Sequence, residues 1–199
     1  VATQMLSGNG FQEVYNLSGG IKAWGRNVAV GDEKMGLELF AEADSFTQVL
    51  ATAHALEGGL RNLYQAMMAD VSNPAVQKVF GRLAEMETEH QRRLYALYQE
   101  VEAAPVSLEE FRRATAPAVA EGGFSIEEYR KRFIVDLSKP DSAISIAMTI
   151  EAQAMDLYQR AAGQQAPGPA RDILLQIATE EKAHLRYLGQ LMDEITTDI

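Results

Sequence analysis

The sequence predicts an all-α fold: four long helices arranged as two helical hairpins joined by a long crossover. Three observations lead there. Apolar residues recur at three- and four-residue steps through four long segments. Compact turn signals, Val71-Ser72-Asn73-Pro74 and Gly163-Gln164-Gln165-Ala166-Pro167-Gly168-Pro169, separate the segments in pairs. The second pair also repeats the first at a fixed offset: Glu151, Tyr158, Glu181 and His184 follow Glu57, Tyr64, Glu87 and His90 by 94 positions each.

Residues 1–30 stand apart in character. Val14, Tyr15 and Leu17 suit a short strand, Gly19-Gly20 a tight turn, and Ile21, Ala23 and Trp24 the apolar face of a short helix. Gly10-Phe11, Val14-Tyr15-Asn16-Leu17, Gly19-Gly20-Ile21 and Ala23-Trp24 together resemble the C-terminal tail of a rhodanese-like domain. A rhodanese acts through a cysteine, and this chain has none. The resemblance therefore implies ancestry or truncation rather than sulfur transfer. With Val1 rather than Met at the start, a fragment of a longer chain is expected. A lone strand with exposed Phe11, Tyr15, Ile21 and Trp24 invites a partner surface. A homodimer in which this segment helps the contact is the expectation. The domain reading is residues 1–35 as this fragment with its connector, and 36–199 as the helical bundle.

Within the connector, Met35 to Ala43 reads as a helical turn. The first long helix follows, capped by Asp44 or Ser45 and running to about Val71 on the stripe Phe46, Val49, Leu50, Ala53, Leu56, Leu60, Leu63 and Met67. Asn73 as N-cap and Pro74 at the first position open the second, whose stripe includes Val79, Leu83, Met86, Leu94 and Leu97. Pro105 ends it. Residues 105–140 form a connection too long to be idle. Its expected role is to return the chain to the starting end of the bundle, with a short helix at about Ser125 to Val135. Asp141 or Ser142 is expected to cap the third helix, through Ile144, Ala147, Ile150, Ala154 and Leu157. Pro169 opens the fourth, with Ile173, Leu174, Ile177, Leu185, Leu188 and Leu191.

Composition narrows the function. Of 199 residues, 28 are acidic and 18 are Lys or Arg, a formal charge of −10. With no basic run, a nucleic-acid partner is not expected. The absence of cysteine excludes disulfides, zinc–thiolate sites and rubredoxin-type iron centres within the chain. It also fits a reducing, cytoplasmic location. No apolar run reaches transmembrane length, and no membrane partner is expected.

The repeat supplies the chemistry. Each half offers one glutamate and then a Glu-x-x-His, whose two side chains share a helix face. Glu57 and Glu87 are equidistant from the first turn, and Glu151 and Glu181 from the second. At about 1.5 Å per residue each lies roughly 20 Å from its turn, so the pairs are level in mid-bundle. Glu57 continues the stripe of Leu56, Leu60 and Leu63, and Glu151 sits between Ile150 and Ala154. A bare carboxylate in a core needs counter-charge. Four carboxylates and two imidazoles form a ligand set for two metal ions. Mixed oxygen and nitrogen donors suit iron, manganese, cobalt or zinc better than calcium. Glu85, Glu89 and Glu180 read as a solvated face, and His54, whose counterpart is Met148, as structural.

On these residues, about 45–195 resemble rubrerythrin and its ferritin-like di-iron relatives. The resemblance implies a ferritin-like four-helix bundle with two iron ions on Glu57, Glu87, His90, Glu151, Glu181 and His184, the catalytic centre. It also implies that Glu87 and Glu181 bridge the ions and that Glu57 and Glu151 are terminal. Tyr64 and Tyr158, seven residues past a ligand glutamate, can hydrogen-bond a ligand carboxylate. The implied activity is reduction of hydrogen peroxide or dioxygen with electrons from a separate donor protein. Two departures qualify it: rubrerythrins usually carry a further carboxylate where this chain has Ala154, and a rubredoxin module that a chain without cysteine cannot form. The symmetric six-residue set is similar to a bacterioferritin-type ferroxidase centre, so a ferroxidase or iron-binding protein is the alternative, and a metal-holding interaction module a third.

Overall fold

The computed structural model describes residues 36–41, 43–115, 137 and 139–197, all within the unit Gly31–Ile199. The strand–turn–helix expected at 1–30 and the helix expected at 125–135 lie outside the described residues. Those described contain helices and no strand. They are α1 (Glu38–Ala41), α2 (Phe46–Asp70), α3 (Pro74–Val101), α4 (Leu108–Thr115), α5 (Pro140–Gln164) and α6 (Pro169–Thr197).

Local chemistry sets the helix starts. Ser45 caps α2 in a capping box: its hydroxyl accepts from the Gln48 N–H, and the Gln48 side chain accepts from the Ser45 N–H. Asn73 Oδ1 accepts from the Ala75 N–H, and Pro74 occupies the first position of α3, where a missing N–H costs nothing. The expected cap of α5 is corrected. The helix begins at Pro140, with Lys139 at the cap position and no side-chain cap bond. Proline's fixed φ lets it open the helix ahead of Asp141 and Ser142, and Asp141 then lies in the first turn, where a negative charge is favourable. α4 lies within the stretch expected to be connection. It starts from a second reciprocal pair, in which Ser107 Oγ accepts from the Glu110 N–H and Glu110 Oε2 accepts from the Ser107 N–H.

α2 packs along α3, and α5 along α6; across the hairpins α3 meets α5 and α2 meets α6. Two apolar clusters fill the interior. The first joins Leu63, Met67, Val71, Val76 and Phe80, around the turn of the first hairpin, to Ala143, Ile144 and Ile146 at the start of α5. The second joins Val49, Leu50, Leu94 and Tyr98 to Leu157, Ala161, Ile173 and Leu174 around the turn of the second. The two hairpin turns therefore lie at opposite ends of the bundle. This corrects the expected crossover. From the end of α3 the chain is carried to the far end, beside the first turn, and does not come back to where α2 began. α3 and α5 consequently run parallel, and a parallel pair needs a connection as long as the helices themselves. That accounts for the length of the segment after Pro105.

Close helix approach is built into α2. A Cβ on Gly58 would stand 2.7 Å from Gln91 Nε2. With glycine there, Gln91 reaches across and donates to the His54 carbonyl at 3.0 Å. Gly36, at φ +81°, makes a turn that L side chains rarely adopt, directly against Leu157.

Candidate metal centre

Between the two apolar clusters lies a polar layer. Glu57 separates Leu56 of the second cluster from Leu60 of the first, and Glu181 separates Ala178 from Leu188 in the same way. Each long helix contributes one glutamate: Glu57 from α2, Glu87 from α3, Glu151 from α5 and Glu181 from α6. All four have no solvent exposure. His90 and His184, one turn beyond Glu87 and Glu181, are 6% and 3% exposed. The six residues singled out by the repeat thus meet in one layer.

The layer keeps the symmetry of the repeat. His90 Nδ1 lies 2.9 Å from Glu57 Oε2, and His184 Nδ1 lies 2.9 Å from Glu151 Oε2. The imidazoles stack with centroids 4.9 Å apart and planes 10° from parallel. The tyrosines cross between hairpins. The Tyr158 hydroxyl donates to Glu57 Oε1 at 2.5 Å, and that of Tyr64 donates to Glu151 Oε1. Both tyrosines are fully buried. Glu57 and Glu151 are thereby each fixed by a hydroxyl on one oxygen and an imidazole on the other.

Glu87 and Glu181 differ. All four of their carboxylate oxygens are buried without a hydrogen-bond partner among the described residues. They lie only at ion-pair distances from the histidines: 3.1 and 3.3 Å to His90 Nδ1, and 3.5 and 3.1 Å to His184 Nδ1. An unsatisfied buried polar group costs about 1–3 kcal/mol, and more when charged. Four such oxygens in one layer mark a place for a cation. Two sets of four residues bring ligand atoms within 4.8 Å of one another: Glu57, Glu87, His90 and Glu181, and Glu87, Glu151, Glu181 and His184. The sets share Glu87 and Glu181. Each offers three carboxylates, one imidazole and no sulfur, which fits iron, manganese, cobalt or zinc.

The electrostatics of the metal-free protein show the same strain. Burial, and then the facing charge of Glu181, push Glu87 well above the carboxylate range. Burial and Glu181 push Glu151 up to about 8. For Glu181, burial is outweighed by the close approach of His184 and His90, which holds it low. Burial alone would lower His184, but Glu151 and Glu181 raise it to about 10; His90 is raised by Glu57, Glu181 and Glu87 against the same burial. Without a metal, the layer balances its carboxylates with protons.

The other acids divide. Glu85 and Glu89 are solvent-facing, with side chains 71% and 65% exposed, and pair with Arg82 and Arg92. Glu180 does not belong with them. Its side chain is 25% exposed and gripped by both terminal nitrogens of Arg93, and its Oε2 lies 3.4 Å from His90 Nε2. An acid beside His90 reads as solvated in the sequence because the arginine that holds it comes from another helix. His54 belongs to neither set of four. It is buried edge-on against Phe111, ring centroids 5.0 Å apart. Burial and the charge of Arg112 lower it to about 4, so it is neutral. Ala154 is fully buried. A cleft of about 290 Å³, lined by Arg82, Glu85, Met86, Glu89, His90 and His184, reaches the histidine side of the layer. No described helix is long and apolar enough to cross a membrane.

Comparison with curated proteins and with solved structures finds no match. Comparison with protein families does: the rubrerythrin family model matches residues 48–192, a span that holds all six residues of the layer.

Proposed function

The chain belongs to the rubrerythrin family, a family of di-iron carboxylate proteins, and on that premise we propose that it reduces hydrogen peroxide with electrons from a separate donor protein. The observation that carries the metal reading is the pair Glu87 and Glu181, common to both sets of four, with every carboxylate oxygen buried and lacking a hydrogen bond. Glu57, Glu87, His90 and Glu181 would hold one iron, and Glu87, Glu151, Glu181 and His184 the other. When bound, a diferrous pair supplies the two electrons that turn hydrogen peroxide and two protons into two waters.

The chain's own residues prepare that chemistry. Tyr158 and Tyr64 fix the orientation of Glu57 and Glu151, so the ligands need not reorganise on loading. Nδ1 of each histidine faces the carboxylates, so with an ion bound at Nδ1 the ring proton would sit on Nε2. Leu56, Leu60, Leu83, Ile150, Leu188 and their neighbours seal the layer above and below and restrict water. The cleft beside His90 and His184 suits entry of a molecule as small as peroxide. These 199 residues include no cysteine for an electron-transfer centre of the rubredoxin type, so in this reading the electrons come from outside them.

One observation favours a second reading. Ala154 fills the position of the extra carboxylate that rubrerythrins usually carry, leaving a symmetric six-residue set of the ferroxidase kind. In that reading dioxygen is the oxidant and ferrous iron the substrate. Stopped-flow mixing of reduced, iron-loaded protein with each oxidant separates the two. Faster oxidation by peroxide supports peroxidase action; equal or reversed rates overturn it in favour of the ferroxidase.

A further inference from the structure

The repeat that builds the centre breaks on the outer side of the histidines. His90 has a carboxylate beyond its ring: Glu180 Oε2 lies 3.4 Å from Nε2. Arg93 holds that carboxylate through both terminal nitrogens, and Gln176 Nε2 donates to its other oxygen at 3.2 Å. The positions that correspond to Glu180 and Arg93 in the other half are Met86 and Tyr187. Neither supplies a charge. Among the described residues, His184 meets carboxylates through Nδ1 alone, and Met86 lines the cleft beside it.

We propose that Glu180, held by Arg93, is a positioning residue for His90 that makes the two halves of the metal centre unequal, the Glu57–His90 half binding its ion more tightly. The inference rests on the dimetal reading above. An imidazole that ligates through Nδ1 carries its proton on Nε2. A carboxylate beyond Nε2 fixes that tautomer, holds the ring plane and strengthens the ligand nitrogen as a donor. Arg93 matters for a second reason. Its charge offsets that of Glu180, so the ring is oriented without adding a net charge beside four buried carboxylates. His184 gets none of this help, and the cleft, lined by both histidines, does not make up the difference. The His184 ion is therefore the one that exchanges.

Titration of the metal-free full chain with Co²⁺ alone, followed by visible absorbance and calorimetry, tests this. The wild type should take up two ions per chain in two distinguishable steps. Uptake of fewer than two ions counts against the dimetal reading itself. Uptake of two in one indistinguishable step counts against the inequality proposed here. Glu180→Ala should weaken the tighter step by roughly 10- to 100-fold and leave the other in place. Glu180→Gln, which keeps the shape and one acceptor oxygen, should fall between, and replaces the alanine variant if that does not fold. Pairing each change with His90→Ala or His184→Ala shows the route of action. The loss should persist beside His184→Ala and vanish beside His90→Ala. Equal weakening of both steps, or a loss undiminished without His90, overturns the proposal.

Discussion

Replacing Tyr158 by phenylalanine removes one oxygen and leaves the ring. Both ends of the bond it breaks are fully buried: the Tyr158 hydroxyl donates to Glu57 Oε1 at 2.5 Å, and neither side chain is exposed. Packing changes little, because the ring keeps its edge-on contact with Phe40. The loss is therefore that of a hydrogen bond to a charged acceptor, about 1.5–3 kcal/mol. Assigned to the ion held by Glu57, a central value of about 2 kcal/mol is on the order of 30-fold in affinity. Tyr64→Phe should do the same to the ion held by Glu151, because the tyrosines cross between hairpins. Chelator competition during stepwise loading measures each ion, and thermal melts of the metal-free protein check the fold. A loss of less than about twofold, or equal weakening of both ions by either variant, would show that the hydroxyls do not act on the ligands one by one.

Three further outcomes are expected. Glu87→Ala or Glu181→Ala should abolish the paired centre, since each belongs to both sets of four, while Glu89→Ala should leave metal content unchanged, because Glu89 is 65% exposed and paired with Arg92; elemental analysis of the three decides. Loading the metal-free protein near pH 7 should release protons, measurable with an indicator dye, because Glu87 and Glu151 are pushed up and both histidines hold protons there. The sign for stability follows from Glu151. Its folded value, about 8, lies above the ordinary 4.5, so its contribution to the metal-free fold is full below 4.5 and is lost as pH rises through about 8. Melts of metal-free and loaded protein should therefore diverge as pH rises across that window, and parallel curves would contradict the assignment.

The four long helices and the six residues of the layer are legible because each rests on a period: the apolar stripe within helices, and the 94-residue offset between them. What escapes the sequence rests on contacts that a period does not encode. Glu180 resembles Glu85 and Glu89 in sequence because its partner Arg93 lies 87 positions away. The direction of the crossover depends on how the hairpins stack, and neither hairpin records that by itself. The start of α5 falls ahead of its expected place because Asp141 and Ser142 are good caps only in isolation, whereas Pro140 fits the first helical position. α4 does leave a signal, the Ser107–Glu110 capping box, within a stretch whose prolines and glycines suggest connection. The tyrosines' involvement follows from their spacing, and their crossing to the opposite hairpin requires the fold.

The central claim, that the shared carboxylates of Glu87 and Glu181, buried without a hydrogen bond, hold two ions at once, is tested most directly by counting metal. Protein isolated from iron-replete cells, or reconstituted anaerobically with ferrous iron, should contain two irons per chain, with a metal–metal distance of about 3.5–4 Å by X-ray absorption. One iron per chain, or two at a distance too long for a shared carboxylate, would contradict it.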